Sequence, residues 1–176
     1  MRKLTNDELN RKSIKEFKAI SKAPFLIVLD NVRSLNNIGS IFRTADAFLV
    51  EAIWLCGITA TPPHREIHKT ALGATESVEW RYIGSSADAV RELKRSGYSV
   101  ISLEQTDESV PLDHFVPESG KRYALVFGHE IKGVSEEVVA LSDRCVEIPQ
   151  YGTKHSFNVA VSAGIVLWEL AGRRKG

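Results

Sequence analysis

Residues Phe25–Cys56 read FLIVLDNVRSLNNIGSIFRTADAFLVEAIWLC, and this stretch decides the fold class. Phe25–Leu29 is an unbroken apolar run of strand length, and Ala52–Cys56 is another. Between them, Ile38, Ile41, Phe42, Ala45 and Leu49 recur at the spacing of one helical face. Strand, helix and strand in that order make a crossover unit, which pairs its two strands in parallel. Working outward, the alternation continues. Strand-like runs recur at Val78–Ile83, Tyr98–Leu103, Arg122–Phe127 and Arg144–Ile148. Ala87, Val90 and Leu93 mark a helix that Gly97 would stop, and Val138–Leu141 a short one. Val159–Leu170 is a long apolar helix expected to be buried on most sides. Towards the N-terminus, Thr5 and Glu8 have capping-box spacing, and Ile14, Phe17 and Ile20 suggest one helix face before Pro24. The fold class is therefore α/β, a parallel sheet covered by helices on both faces.

The chain has 176 residues with 43% hydrophobic and 26% charged residues, the composition of one ordinary globular domain. Nothing approaches the ~20 apolar residues of a membrane span, and no signal-peptide pattern is present. Cys56 and Cys145 are too few for a disulfide framework, so a reduced, cytoplasmic setting is expected. The formal net charge of +1 hides a segregation. Residues 1–22 carry seven basic and three acidic groups, and Arg173, Arg174 and Lys175 follow at the other end. Charge alone reads most simply as solvated ends; contact with a polyanion is the alternative.

In parallel sheets, ligands sit at the carboxyl ends of the strands, so chemistry is sought in the loops there. Asp30–Asn37 holds three asparagines, which serve turns and caps as readily as ligands, and leads into a helix bearing Gly39 and Arg43. Gly39 costs helix stability unless something approaches the backbone closely. Gly128–Gly133 has two glycines five apart, like a phosphate cradle, with Ser135 placed to cap the next helix. The Lys-Ser/Thr of a nucleotide-triphosphate loop is missing, and Glu130 would repel phosphate. Pro149–Phe157 is long and polar for a strand-to-helix link, either functional or a plain surface excursion. Metal and hydrolase chemistry find little support. His64 and His68 lack the glutamate of a zinc protease motif, the cysteines are far apart, and no Gly-x-Ser-x-Gly occurs.

Taken together and in order, the three loops resemble the motifs of SpoU-type RNA ribose 2′-O-methyltransferases of the SPOUT superfamily. Asn37-x-Gly39-x-x-x-Arg43-x-Ala45 is similar to the first motif. Phe127-Gly128-x-Glu130-x-x-Gly133-x-Ser135 resembles the second. Ile148-Pro149, Gly152 and Ser156-Phe157-Asn158-Val159 resemble the third, and Lys69 with Leu72-Gly73-Ala74 echoes a further family segment. Phe157 stands where leucine is usual and Gln150 where methionine is common.

The resemblance implies a C-terminal deep trefoil knot, a homodimer with its active site near the interface, and S-adenosylmethionine as cofactor without a metal. It places Phe127, Gly128, Ile148, Pro149, Gly152, Phe157 and Asn158 at the cofactor. It assigns Asn37, Arg43, Glu130, Ser156 and Asn158 to catalysis. It divides the chain into a basic helical extension at 1–22, the methyltransferase domain at 23–172 and a basic tail at 173–176. With only about 20 residues ahead of the domain, no separate RNA-binding domain is expected there, which tilts the substrate towards tRNA over rRNA. Arg43 could act as base, stabilise the developing alkoxide or clamp a phosphate. The first role is uncomfortable, because guanidinium stays protonated up to about pH 12. The other readings are a non-catalytic RNA-binding protein on the same scaffold and a doubly wound nucleotide or flavin domain.

Overall fold

The computed structural model describes residues 1–5 and 7–173. The basic tail expected at 173–176 therefore lies outside the described residues, save for the backbone of Arg173. In chain order the elements are α1 (Ile14–Ala19), β1 (Ala23–Asp30), α2 (Leu35–Ala47), β2 (Val50–Cys56), α3 (Arg65–Ala71), α4 (Ala74–Ser77), β3 (Glu79–Ile83), α5 (Ser86–Arg95), β4 (Tyr98–Leu103), β5 (Val110–Pro111), β6 (Arg122–Phe127), α6 (Glu136–Leu141), β7 (Arg144–Glu147) and α7 (Val159–Arg173).

The seven strands form one sheet in the order β3-β2-β1-β6-β4-β7-β5, and every pairing is parallel. β1 is buried continuously from Phe25 to Asp30 because both faces of the sheet are covered. Its alternation splits the core in two. Phe25, Ile27 and Leu29 pack with Ile38, Ile41 and Phe42 of α2 and with Val166 and Leu167 of α7. Leu26 and Val28 face Val90 and Leu93 of α5 and Val138 of α6. β7 lies between β4 and β5, two strands adjacent in sequence, and α7 packs on the 3-10 turn Leu112–His114 that follows β5. A late strand thus sits between two earlier ones that follow each other in the chain.

Ser34 caps α2 by accepting the Asn37 N–H at 3.2 Å. The helix ends at Ala47 rather than reaching Leu49, which sits at φ +55 and turns the chain into β2. The close neighbour that Gly39 demands is α3. A Cβ there would collide with the Thr70 hydroxyl and the Ile67 carbonyl, so the glycine serves helix packing.

Several expectations need correction. Thr5 and Glu8 do bond, the N–H and hydroxyl of Thr5 donating to the carboxylate at 2.7 and 3.0 Å, but only a 3-10 turn follows. The helix begins later, with a capping box of its own made by Ser13 and Glu16, and Ile20 lies beyond its end. Ser135 stands at the start of α6, yet its side chain makes no capping bond. β1 starts at Ala23, while Val78 and Ile148 fall just outside their strands. α7 is not covered on most sides: Val161 and Trp168 are 50% and 72% exposed. α3, α4 and the two-residue β5 were not expected at all.

Candidate functional site

Because all strands are parallel, their carboxyl ends share one edge, and the loops after β1, β6 and β7 meet there. Glu130 is the hub of the meeting. Its carboxylate accepts the N–H groups of Arg33 and Ser34 at 3.1 and 2.9 Å and the Asn37 amide at 3.2 Å. Asn37 in turn accepts the Asn158 amide at 3.0 Å, and Asn158 caps α7 by accepting the Ala160 N–H at 2.9 Å. One hydrogen-bonded chain, Glu130–Asn37–Asn158, therefore ties together all three loops singled out in the sequence. Partial burial opposes ionisation of Glu130, but the donors from Arg33, Ser34 and Asn37 outweigh it and hold the carboxyl below its ordinary range. Its position at the start of α2 also places negative charge at the positive end of that helix.

Beside this chain lies a cleft of about 310 Å³. Phe127, Gly128, Glu130, Ile148, Ser156 and Phe157 line it, as the sequence reading grouped them. Pro149, Gly152 and Asn158 do not line it, and Gly152 is exposed with open space around it. Asn37 is linked to the cleft through Glu130 alone. Arg43 lies elsewhere, exposed and, among the described residues, without an ion pair or hydrogen bond, in a second hollow of about 570 Å³. Arg11, Lys12 and Phe17 of the N-terminal extension share that hollow, together with Asp46 and Leu72.

Two carboxylates that the sequence reading passed over hold the loops around the cleft, and of these Glu104 lines it. Glu104, just beyond β4, accepts the Val134 N–H at 2.8 Å, and buried Asp30 accepts the Ser135 N–H at 2.8 Å and the Ser86 hydroxyl at 2.5 Å. Glu104 was findable, since it is the first polar residue after the apolar run Tyr98–Leu103 and so occupies another carboxyl end of the same sheet. These bonds also explain the two glycines five apart. A Cβ on Gly128 would meet the backbone of Gly133 and Val134, and one on Gly133 (φ +71) would meet the Glu104 carboxylate. The N–H groups that a phosphate loop would offer at Val134 and Ser135 are already taken by carboxylates. The loop is built against anions.

What does fit is a cationic, partly aromatic ligand. Leu103, Phe127, Ile148 and Phe157 give an apolar wall for a planar base, while Glu104 and Glu130 make the cleft negative overall, a field that suits a sulfonium without requiring contact. Gly128 lines the cleft, and its missing Cβ makes room for the Gly133–Val134 backbone of the same loop. S-adenosylmethionine matches this donor set. The two histidines four apart are not a ligand pair of this site: His64 caps α3 through its Nδ1, which accepts the Glu66 N–H at 3.2 Å.

The SpoU rRNA Methylase family model matches residues 24–168. The chain is 34% identical over 155 residues to a 23S rRNA (guanosine-2′-O-)-methyltransferase of Neisseria meningitidis, covering 88% of this chain and 61% of that one. It is 30% identical over 172 residues to a tRNA (guanosine(18)-2′-O)-methyltransferase of Aquifex aeolicus, covering 96% and 78%. The crystal structure of an AdoMet-bound rRNA methyltransferase from Sinorhizobium meliloti superposes with a TM-score of 0.80 at 29% identity, over 90% of this chain and 60% of that one. The chain thus spans about three fifths of the length of the two rRNA-modifying relatives. A family match over most of the chain, on a fold whose loops assemble as the motifs require, means that the protein belongs to the SpoU rRNA Methylase family.

Proposed function

We propose that this protein transfers a methyl group from S-adenosylmethionine to a ribose 2′-hydroxyl of structured RNA, with tRNA favoured over rRNA, in the cytoplasm. The observation that carries the reading is the Glu130–Asn37–Asn158 chain, which ties the three motif loops together beside a cleft suited to a cationic nucleoside. The cofactor supplies an electrophilic methyl on sulfonium; the chain's own work is to hold and orient. Phe127, Gly128, Ile148 and Phe157 bind the adenosine part, and Glu130 with Ser156 shapes the polar side of the cleft. Glu130 is an organiser rather than a base, because its lone pairs are committed to the start of α2.

Arg43 clamps the RNA phosphate or stabilises the developing alkoxide, and the basic residues 1–22 and 173–176 grip the RNA around it. Its unpaired state and its hollow shared with Arg11 and Lys12 support this. The protein works as a homodimer with the active site near the interface. The exposed apolar residues Val161 and Trp168 of α7 support a second copy of the chain as their cover.

The test is in vitro methylation with isotopically labelled cofactor of tRNA and rRNA from cells lacking the gene, followed by mass-spectrometric mapping. A 2′-O-methyl mark on tRNA that Arg43→Ala and Arg43→Lys both lose is the expected result. Absence of any new mark on either RNA overturns the activity, and marks that both variants retain overturn the role of Arg43.

A further inference from the structure

We propose that Glu104 and Gln105, consecutive residues at the end of β4, are positioning residues that hold the two walls of the cleft at their working separation. The inference rests on the cleft being the S-adenosylmethionine site. The Glu104 N–H donates to the Val146 carbonyl at 3.1 Å, continuing the β4–β7 ladder by one residue, so the pair is anchored to the sheet itself. From this anchor the Glu104 carboxylate reaches one wall, accepting the Val134 N–H at 2.8 Å in a charge-assisted bond. Its other oxygen accepts the Gln105 N–H at 3.0 Å, which aims the next side chain. The Gln105 amide reaches the opposite wall and donates to the His155 carbonyl at 3.4 Å.

Gln150 donates to that same carbonyl, also at 3.4 Å. Each of the two amide bonds is long and individually weak. Together they are the hydrogen bonds that restrain residues 150–156 among the described residues, in a segment exposed from Tyr151 onward. Gln150, where the family commonly has methionine, thus closes the loop that Gln105 tethers. Gly133 belongs to the wall that Glu104 reaches, since only a residue without Cβ leaves room there for the carboxylate. A ligand entering between the walls meets a cleft already set, and the cost of ordering two loops is not drawn from its binding energy.

Isothermal titration with S-adenosylhomocysteine and hydrogen exchange of the ligand-free full chain test the assignment. Glu104→Ala is expected to weaken binding about tenfold and to speed exchange across 128–135, with melting temperature and near-ultraviolet circular dichroism close to wild type. Glu104→Gln keeps an acceptor for the Val134 N–H and is expected to recover most of the loss. Gln105→Ala is expected to speed exchange in 150–157 and leave 128–135 unchanged. Should Glu104→Ala not fold, Gly133→Ala, which displaces the carboxylate without deleting it, gives the same two readouts.

Unchanged exchange at 128–135, or affinity within about twofold of wild type, overturns the assignment. Equal loss in the Gln and Ala variants also overturns it, because the carboxylate would then touch the ligand directly. A wild type that binds no S-adenosylhomocysteine overturns the cofactor reading instead, a result the exchange pattern of the free protein distinguishes.

Discussion

Glu130 shows how one side chain can organise a site without acting in the chemistry. Three donors from the start of α2 converge on its carboxylate, and all three favour its charged form. A carboxyl held below its ordinary value of 4.5 contributes stability that is complete above that value and is lost as pH falls through the lowered one. Glu130→Gln removes the charge and is expected to lower stability by about 1 kcal/mol near neutrality. Acid titration of the melting temperature checks this. The gap between wild type and variant should be constant above pH 5 or so and close at strongly acidic pH. A gap that widens with acid would contradict the assigned partners. Asp30 illustrates the complementary case, a buried carboxylate that acts on a neighbour. Burial together with that nearby charge pushes the Cys56 thiol up to about 12, so this cysteine stays protonated and unreactive.

At the scale of elements, α7 is the helix whose sequence promised most burial and whose structure delivers half. Val159, Ala163, Val166, Leu167 and Leu170 face the core, leaving Val161 and Trp168 outside, with Phe48 in an edge-type ring contact with Trp168. Trp168→Glu is expected to leave the monomer folded and abolish dimerisation, read by sedimentation velocity at micromolar concentration. A dimer that survives would move the interface elsewhere. The strands and the larger helices were legible because Phe25–Leu29 and the Ile38, Ile41, Phe42, Ala45 stripe carry strong periodic signals. α3 was not, since Arg65–Ala71 offers only Ile67 and Ala71 to the core, and β5 is two residues held by pairing to β7. The same limit applied to the site. Glu130, Asn37 and Asn158 were singled out by the resemblance of their loops to the family motifs, and the structure joins them. Glu104 escaped notice because its partner, the Val134 N–H, is thirty residues away and no side-chain pattern announces a backbone bond. Pro149, Gly152 and Asn158 were assigned to the cofactor by motif alone, and none of the three lines the cleft.

For the whole molecule, the near-balance of 23 basic and 22 acidic residues averages two unlike surfaces. Removing residues 1–12 takes away Lys3, Arg11 and Lys12, whereas Arg2 is already paired with Glu8. α1 keeps its hold through Phe17, which is buried in the core and covered by the Lys22 ammonium. The truncated protein should bind tRNA more weakly, with the slope of log affinity against log salt reduced by about two, and should bind S-adenosylhomocysteine as before. An unchanged slope would return the extension to a solvated end. The strand order carries a consequence of another kind, set in time rather than space. β7 is synthesised after β4, β5 and β6, yet its place is between the first two of them. One wall of the cleft follows β7 in the chain, so no nascent intermediate lacking the last thirty residues can possess a complete pocket. A ligand of this cleft can therefore stabilise only a chain in which that late wall is already in place.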